Sequence, residues 1–174
     1  MHGMFATNNS QRWVESAMTI ANKSFNILAG AADRTADVIK RIPEVIALKP
    51  KAVVLSIGRN DLAFSVPLAT AQTNIDYIIN TLQAAGITVN LAGVIASNVN
   101  VSALQTFYNS KANVQVNGYA ATKSASGTTL SSAFNSGDGI HINPAGNTAM
   151  SNLLLTILLP QVPPAAPATL SAAA

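Results

Sequence analysis

The sequence predicts an α/β fold, a three-layer α/β/α sandwich built on a doubly wound parallel sheet. Three observations predict it. Short β-branched apolar runs alternate with segments of 3.6-residue periodicity, at the spacing of βαβ units. Gly30, the stretch Gly58 to Asp61 and the stretch Gly93 to Asn98 each follow such a run, where a parallel sheet gathers its functional groups. Finally, 49% of the 174 residues are apolar, enough for a sizeable core. Right-handed crossovers then place helices on both faces of the sheet.

In chain order, Gln11 to Ala21 carries Trp13, Ala17, Met18 and Ala21 at helical spacing. Phe25 to Ala29 is a short apolar run ending at Gly30 and predicts a buried strand. Thr35 to Leu48 sets Val38, Ile42, Val45 and Ile46 on one helical face, with Pro50 as its stop. Ala52 to Ile57 is β-branched and bounded by Gly58, a central strand. Pro67 to Ala85 repeats Ala71, Ile75, Ile78 and Leu82 at helical spacing and ends at Gly86. Ile87 to Leu91 is the next strand, Ser102 to Lys111 a helix and Asn113 to Val116 a short strand. A polar stretch from Thr122 to Gly137 leads to a final helix, Pro144 to Leu159, with proline in its first turn. Residues 1–160 make one domain, and the Pro/Ala-rich segment 161–174 reads as a flexible tail.

Composition excludes several classes. Charged residues are only 10% of the chain, against ~25% in an average domain. The net charge is +3, and the Lys and Arg residues are scattered, with no stripe to follow a phosphate backbone; no nucleic-acid partner is expected. There is no cysteine, hence no disulfide framework and no thiolate nucleophile, and the only histidines are His2 and His141. No apolar run approaches the ~20 residues of a membrane span. The low charge, the many Asn, Ser and Thr residues and the Pro/Ala tail fit an extracytoplasmic or secreted setting.

Two segments concentrate reactive residue types: IGRND, Ile57 to Asp61, directly after the strongest strand, and DGIHINPAG, Asp138 to Gly146, directly before the last helix. A serine hydroxyl needs a neighbouring base, and histidine suits that role near neutral pH. A carboxylate behind the imidazole fixes its tautomer, and Asp138 and His141 stand three positions apart. A tetrahedral intermediate needs hydrogen-bond donors, which an Asn amide and a backbone N–H supply. In order and residue type the two segments resemble the Gly-x-Asn-Asp and Asp-x-x-His blocks of the SGNH or GDSL hydrolases, and the resemblance runs from Trp13 to Leu159. It implies a flavodoxin-like SGNH hydrolase fold, His141 as the base, Asp138 as its orienting carboxylate, and Asn60 and Gly30 as oxyanion donors. Gly58 then allows the turn that aims Asn60, although a second register puts Ala32 at the backbone-donor position. Asp61 reads as a turn or cap residue, and Arg59 fills the family's variable position, where it either touches substrate or is solvated.

The family's first block, Gly-Asp-Ser at the end of the first strand, does not occur in this chain. The expectation is a first strand missing or replaced, its serine lying upstream of Met1 or within the first residues. Ser10 is the local candidate nucleophile; it equally fits as the N-cap of the first helix. Without the strand, the sheet is expected to be marginally stable, or completed by residues 3–8 or by another domain or chain. The resemblance implies a cofactor-free serine esterase acting on small esters, lipids or acetylated carbohydrates. The alternative is a catalytically inactive binding or structural module of a larger extracellular or virion protein.

Overall fold

A computed structural model describes residues 12–113 and 116–159 of the chain. Its helices are α1 (Trp13–Ile20), α2 (Thr35–Ala47), α3 (Arg59–Ala63), α4 (Leu68–Ala84), α5 (Ser102–Asn109), α6 (Gly118–Thr122) and α7 (Pro144–Leu158). Its strands are β1 (Ala52–Leu55) and β2 (Thr88–Leu91). They pair in parallel, with Ala52 opposite Thr88 and Leu55 opposite Leu91.

The sheet separates two apolar cores, as strand alternation requires. Val53 and Leu55 face a core with Ile42 of α2, Ile75, Ile78 and Leu82 of α4, and Leu104 of α5. Val54 faces the opposite core, where Trp13 and Ala17 of α1 pack with Met150 and Leu154 of α7. Helices therefore cover both faces, which makes the three layers that the alternation predicts. Helix α4 ends as its sequence requires. Gly86 takes φ of +77°, its N–H donates to the carbonyl of Gln83 at 2.9 Å, and the Ile87 N–H donates to that of Leu82 at 3.0 Å. This is the glycine-terminated cap that satisfies the last carbonyls of a helix.

Most elements lie where the periodicity places them, with ends moved by a residue or two. The segment Phe25 to Ala29 is different. It is not a buried strand: it joins no ladder among the described residues and leaves Phe25 39% and Ile27 44% exposed. The physical reason is the absence of a partner, because β1 pairs only with β2 among the described residues. The short helices α3 and α6 were not foreseen, having too few residues to show a period. The N-cap position of α1 belongs to Arg12, not to Ser10. Ser10, His2, the tail 161–174 and part of the predicted strand Asn113 to Val116 lie outside the described residues. Val116 itself donates its N–H to the carbonyl of Leu91 at 2.9 Å, beside β2.

Candidate active site

The site is assembled at the carboxyl end of β1. The chain leaving the strand is pinned on both sides. The Ser56 hydroxyl donates to the Gly93 carbonyl at 2.7 Å. The buried Tyr108 hydroxyl donates to the Ile57 carbonyl at 2.9 Å and accepts the Ile57 N–H at 3.3 Å. Burial pushes the Tyr108 hydroxyl well above its ordinary pKa, so it stays a neutral hydrogen-bonding group. Gly58 then turns the chain at φ +100°, and a Cβ there would stand 2.8 Å from Leu104 Cδ2. Both the backbone conformation and the close approach of α5 require glycine. The turn launches α3, which presents Arg59, Asn60 and Asp61 in succession.

These three side chains have separate tasks. Asp61 is 1% exposed. It accepts the Thr35 N–H at 2.9 Å and the Thr35 hydroxyl at 2.6 Å, while Asn74 donates to the same hydroxyl at 2.9 Å. It thus secures the start of α2. Asn60 donates from Nδ2 to the Asp33 carbonyl at 2.9 Å and accepts at Oδ1 from Arg59 Nη1 at 3.1 Å. Arg59 also donates from Nε to Ser97 Oγ at 3.3 Å and from Nη2 to Asn98 Oδ1 at 2.8 Å. The loops after residues 29, 57 and 93 therefore meet at one edge.

The second half of the site is the loop 135–143. Asp138 Oδ2 lies 2.5 Å from His141 Nδ1. Its Oδ1 accepts the backbone N–H groups of Ile140 and His141, each at 2.8 Å. Desolvation disfavours the ionised carboxyl, but these hydrogen bonds from the His141 ring and the two amides outweigh it. The pKa of Asp138 falls well below the usual carboxylate range. An ionised acceptor at Nδ1 fixes the imidazole proton on that nitrogen and leaves Nε2 as the basic one. The loop is held from both ends. Asn135 Oδ1 accepts from the N–H groups of Gly137 and Gly139, each at 2.9 Å, both glycines at positive φ. Asn143 caps α7 by accepting the Gly146 N–H at 3.0 Å and donates to the Ala133 carbonyl at 2.9 Å.

The two halves approach each other at Asn98: a methyl group added at Gly139 would lie 3.7 Å from Asn98 Cβ. Burial lowers the pKa of the Arg59 guanidinium, and the Asp138 carboxylate acts in the opposite sense. Gly30 lies beside this edge through its loop, but its N–H donates to the Asp33 carboxylate, which also pairs with Arg41. That amide is occupied. Ala32, the other register, takes a left-handed backbone at φ +59°. The roles of Asp33, Ser97, Asn98 and Tyr108 were missed from sequence, where only the position of Gly93 to Asn98 after a strand pointed toward the site. Among the described residues, no group of three or more acidic or histidine side chains is placed to hold a metal ion. No described helix is long and apolar enough to cross a membrane.

Three solved structures superpose over most of their length. One is a protein assigned to the lipolytic G-D-S-L family from Desulfitobacterium hafniense DCB-2, at TM-score 0.76, 17% identity and coverage of 91% of this chain and 93% of that one. A protein assigned as an acylhydrolase from Bacteroides fragilis NCTC 9343 gives 0.70 at 20% identity, covering 84% and 80%. A catalytic mutant of an acetylxylan esterase from Geobacillus stearothermophilus gives 0.69 at 17%, covering 84% and 80%. At such identities the likeness shows the fold. No curated protein matches the chain. The sequence model of the GDSL-like lipase/acylhydrolase family matches residues 1–149, most of the chain. By that match, and by a fold shared with structures of the same kind, this chain belongs to the GDSL-like lipase/acylhydrolase family.

Proposed function

We propose that this chain hydrolyses carboxylic esters, small or acetylated, by acyl transfer through a serine. The observation that carries the reading is the Asp138–His141 pair, with Nδ1 bound by an ionised carboxylate and Nε2 left as the base. In the first step His141 Nε2 takes the serine hydroxyl proton as the oxygen bonds to the ester carbonyl carbon. The developing oxyanion is met by the second N–H of the Asn60 amide, whose first is spent on Asp33. Collapse breaks the bond to the alcohol oxygen, which leaves with the proton from His141. Water, activated by His141 in turn, then releases the acid and restores the serine.

The reading assigns the serine to Ser10. Its support is the anchoring of α1: the Trp13 N–H donates to Asn147 Oδ1, in the first turn of α7, at 3.1 Å. The start of α1 is thereby fixed beside the helix that His141 immediately precedes. A second reading, an inactive binding or structural module, is favoured by the missing Gly-Asp-Ser and by the occupied Gly30 N–H. A fluorophosphonate probe followed by peptide mapping separates the two. Labelling at Ser10, with p-nitrophenyl acetate turnover, supports the esterase. No label and no turnover leave the module.

We also infer that the sheet is completed by a further strand alongside β1, supplied by residues 3–8 or by another chain. The inference is supported by a β1 that pairs only with β2 among the described residues and by the exposed apolar side chains of Phe25 and Ile27. The one-domain extent 1–160, with a separate tail, is likewise our proposal. Limited proteolysis that trims the chain near residue 160 and leaves the body intact would support it.

A further inference from the structure

We propose that Arg59 is a positioning residue. It locks the Asn60 amide with Nδ2 turned to the Asp33 carbonyl and ties that amide to Ser97 and Asn98 in the loop after β2. The inference rests on the esterase reading for its catalytic meaning, but its geometry stands alone. An Asn amide has two nearly isosteric ends, and its orientation is decided by its partners. Here the partners leave no ambiguity. The Asp33 carbonyl can only accept, and it stands 2.9 Å from Nδ2. The guanidinium can only donate, and it stands 3.1 Å from Oδ1. A flipped amide would set oxygen against oxygen and N–H against N–H.

The same guanidinium reaches the far side of the site. Its Nη2 donates to Asn98 at 2.8 Å and its Nε to Ser97 at 3.3 Å. Asn98 in turn borders Gly139, next to Asp138. One planar cation thus links the Asn60 amide to the loop after β2. A rigid fork does this better than a flexible ammonium, because its donors are fixed relative to one another. It also acts on the chemistry. A positive charge at Oδ1 polarises the amide and makes its second N–H a stronger donor as the oxyanion forms. Its hydrogen-bond acceptors, Asn60, Ser97 and Asn98, are all neutral, and the Asp138 carboxylate acts on it only through space.

The test compares wild type with Arg59→Met and Arg59→Lys, reading the Asn60 side-chain amide in ¹⁵N–¹H spectra and p-nitrophenyl acetate kinetics. Arg59→Met is expected to shift or broaden the Asn60 and Asn98 amide pairs while resonances in α1 and α7 stay in place. It should lower kcat by about tenfold with KM within about twofold, the pattern of a lost transition-state interaction. Arg59→Lys should recover part of kcat. Unchanged Asn60 resonances together with kcat within about twofold of wild type overturn the proposal. If Arg59→Met fails to fold, the same spectra of Arg59→Lys decide. If wild type has no turnover, the esterase reading fails by itself, and the amide spectra still decide the positioning role.

Discussion

One carboxylate grips His141 twice: Asp138 Oδ2 meets Nδ1 of the ring at 2.5 Å, and Oδ1 takes the backbone N–H of the same residue at 2.8 Å. Ring orientation and loop conformation therefore depend on a single side chain. Asp138→Asn keeps the shape but puts an N–H donor where an acceptor can stand. We expect kcat for p-nitrophenyl acetate to drop by about 10²–10⁴, with little change in the far-UV spectrum. Activity within a few-fold of wild type would show that Asp138 does not set the tautomer.

The same pair fixes a pH dependence of stability. The Asp138 pKa is depressed in the folded chain relative to its ordinary 3.8. A depressed carboxyl adds stability that is present above the unfolded value and lost as pH falls through the folded one. The stability gap between wild type and Asp138→Asn should close on acidification below about pH 4. Because the side chain is 45% exposed, the gap itself should be small. Urea titrations at several pH values measure it, and a gap that widens toward acid would reverse the assignment.

Asn60 and Asp61 are neighbours with opposite expected phenotypes. Asp61→Ala leaves the buried Thr35 N–H and hydroxyl without an acceptor at the start of α2. This should cost about 2–3 kcal/mol in denaturant unfolding. Asn60→Ala gives up two part-buried hydrogen bonds, to the Asp33 carbonyl and from Arg59, each worth about 0.5–1 kcal/mol. It should instead lower kcat by about 10²–10³. Equal effects of the two on stability and on rate would remove the division of labour.

Gly58→Ala adds a methyl group at φ +100° and 2.8 Å from Leu104 Cδ2. Strain and overpacking together should destabilise by about 2–4 kcal/mol. Trimming the neighbour in Gly58→Ala/Leu104→Ala should relieve the clash but keep the backbone term. A double-mutant cycle by chemical denaturation separates the two.

Phe25 and Ile27 test the completion of the sheet. Both are substantially exposed, so Phe25→Ser/Ile27→Ser should change the stability of the isolated body by less than about 1 kcal/mol. If a further strand packs there, the double variant should also weaken self-association in sedimentation, or lower the melting temperature of the full chain by several degrees. No effect on either quantity would mean that nothing covers the segment.

Much of the architecture was legible because its signals are local. The β-branched run Ala52 to Ile57, the period of α4 with its terminal glycine, and Pro144 at the start of α7 each declare an element from a few residues. The run Phe25 to Ala29 has the composition of a strand, but a strand exists only with a partner. The pairing is a long-range fact that composition does not carry. At the site, Asn60, Asp138 and His141 stood out because so few polar residues of catalytic type compete with them. Tyr108, Ser97 and Asn98 were hidden, since a buried tyrosine in a helix and two small polar residues in a loop look ordinary until the fold sets them against Ile57 and Arg59.

The hydrogen bond between the Trp13 N–H and Asn147 joins residues 134 positions apart, and it bears on how the molecule is born. Helix α1 leaves the ribosome well before its burial partners Met150 and Leu154. At about 5–20 residues per second, roughly 7–27 s pass between them. Throughout that interval the indole of Trp13 has no native shelter, and the sheet is folded with one of its two covering layers unfinished. The nascent chain is then most open to chaperone capture, and the docking of α7 onto α1 is the event that closes it.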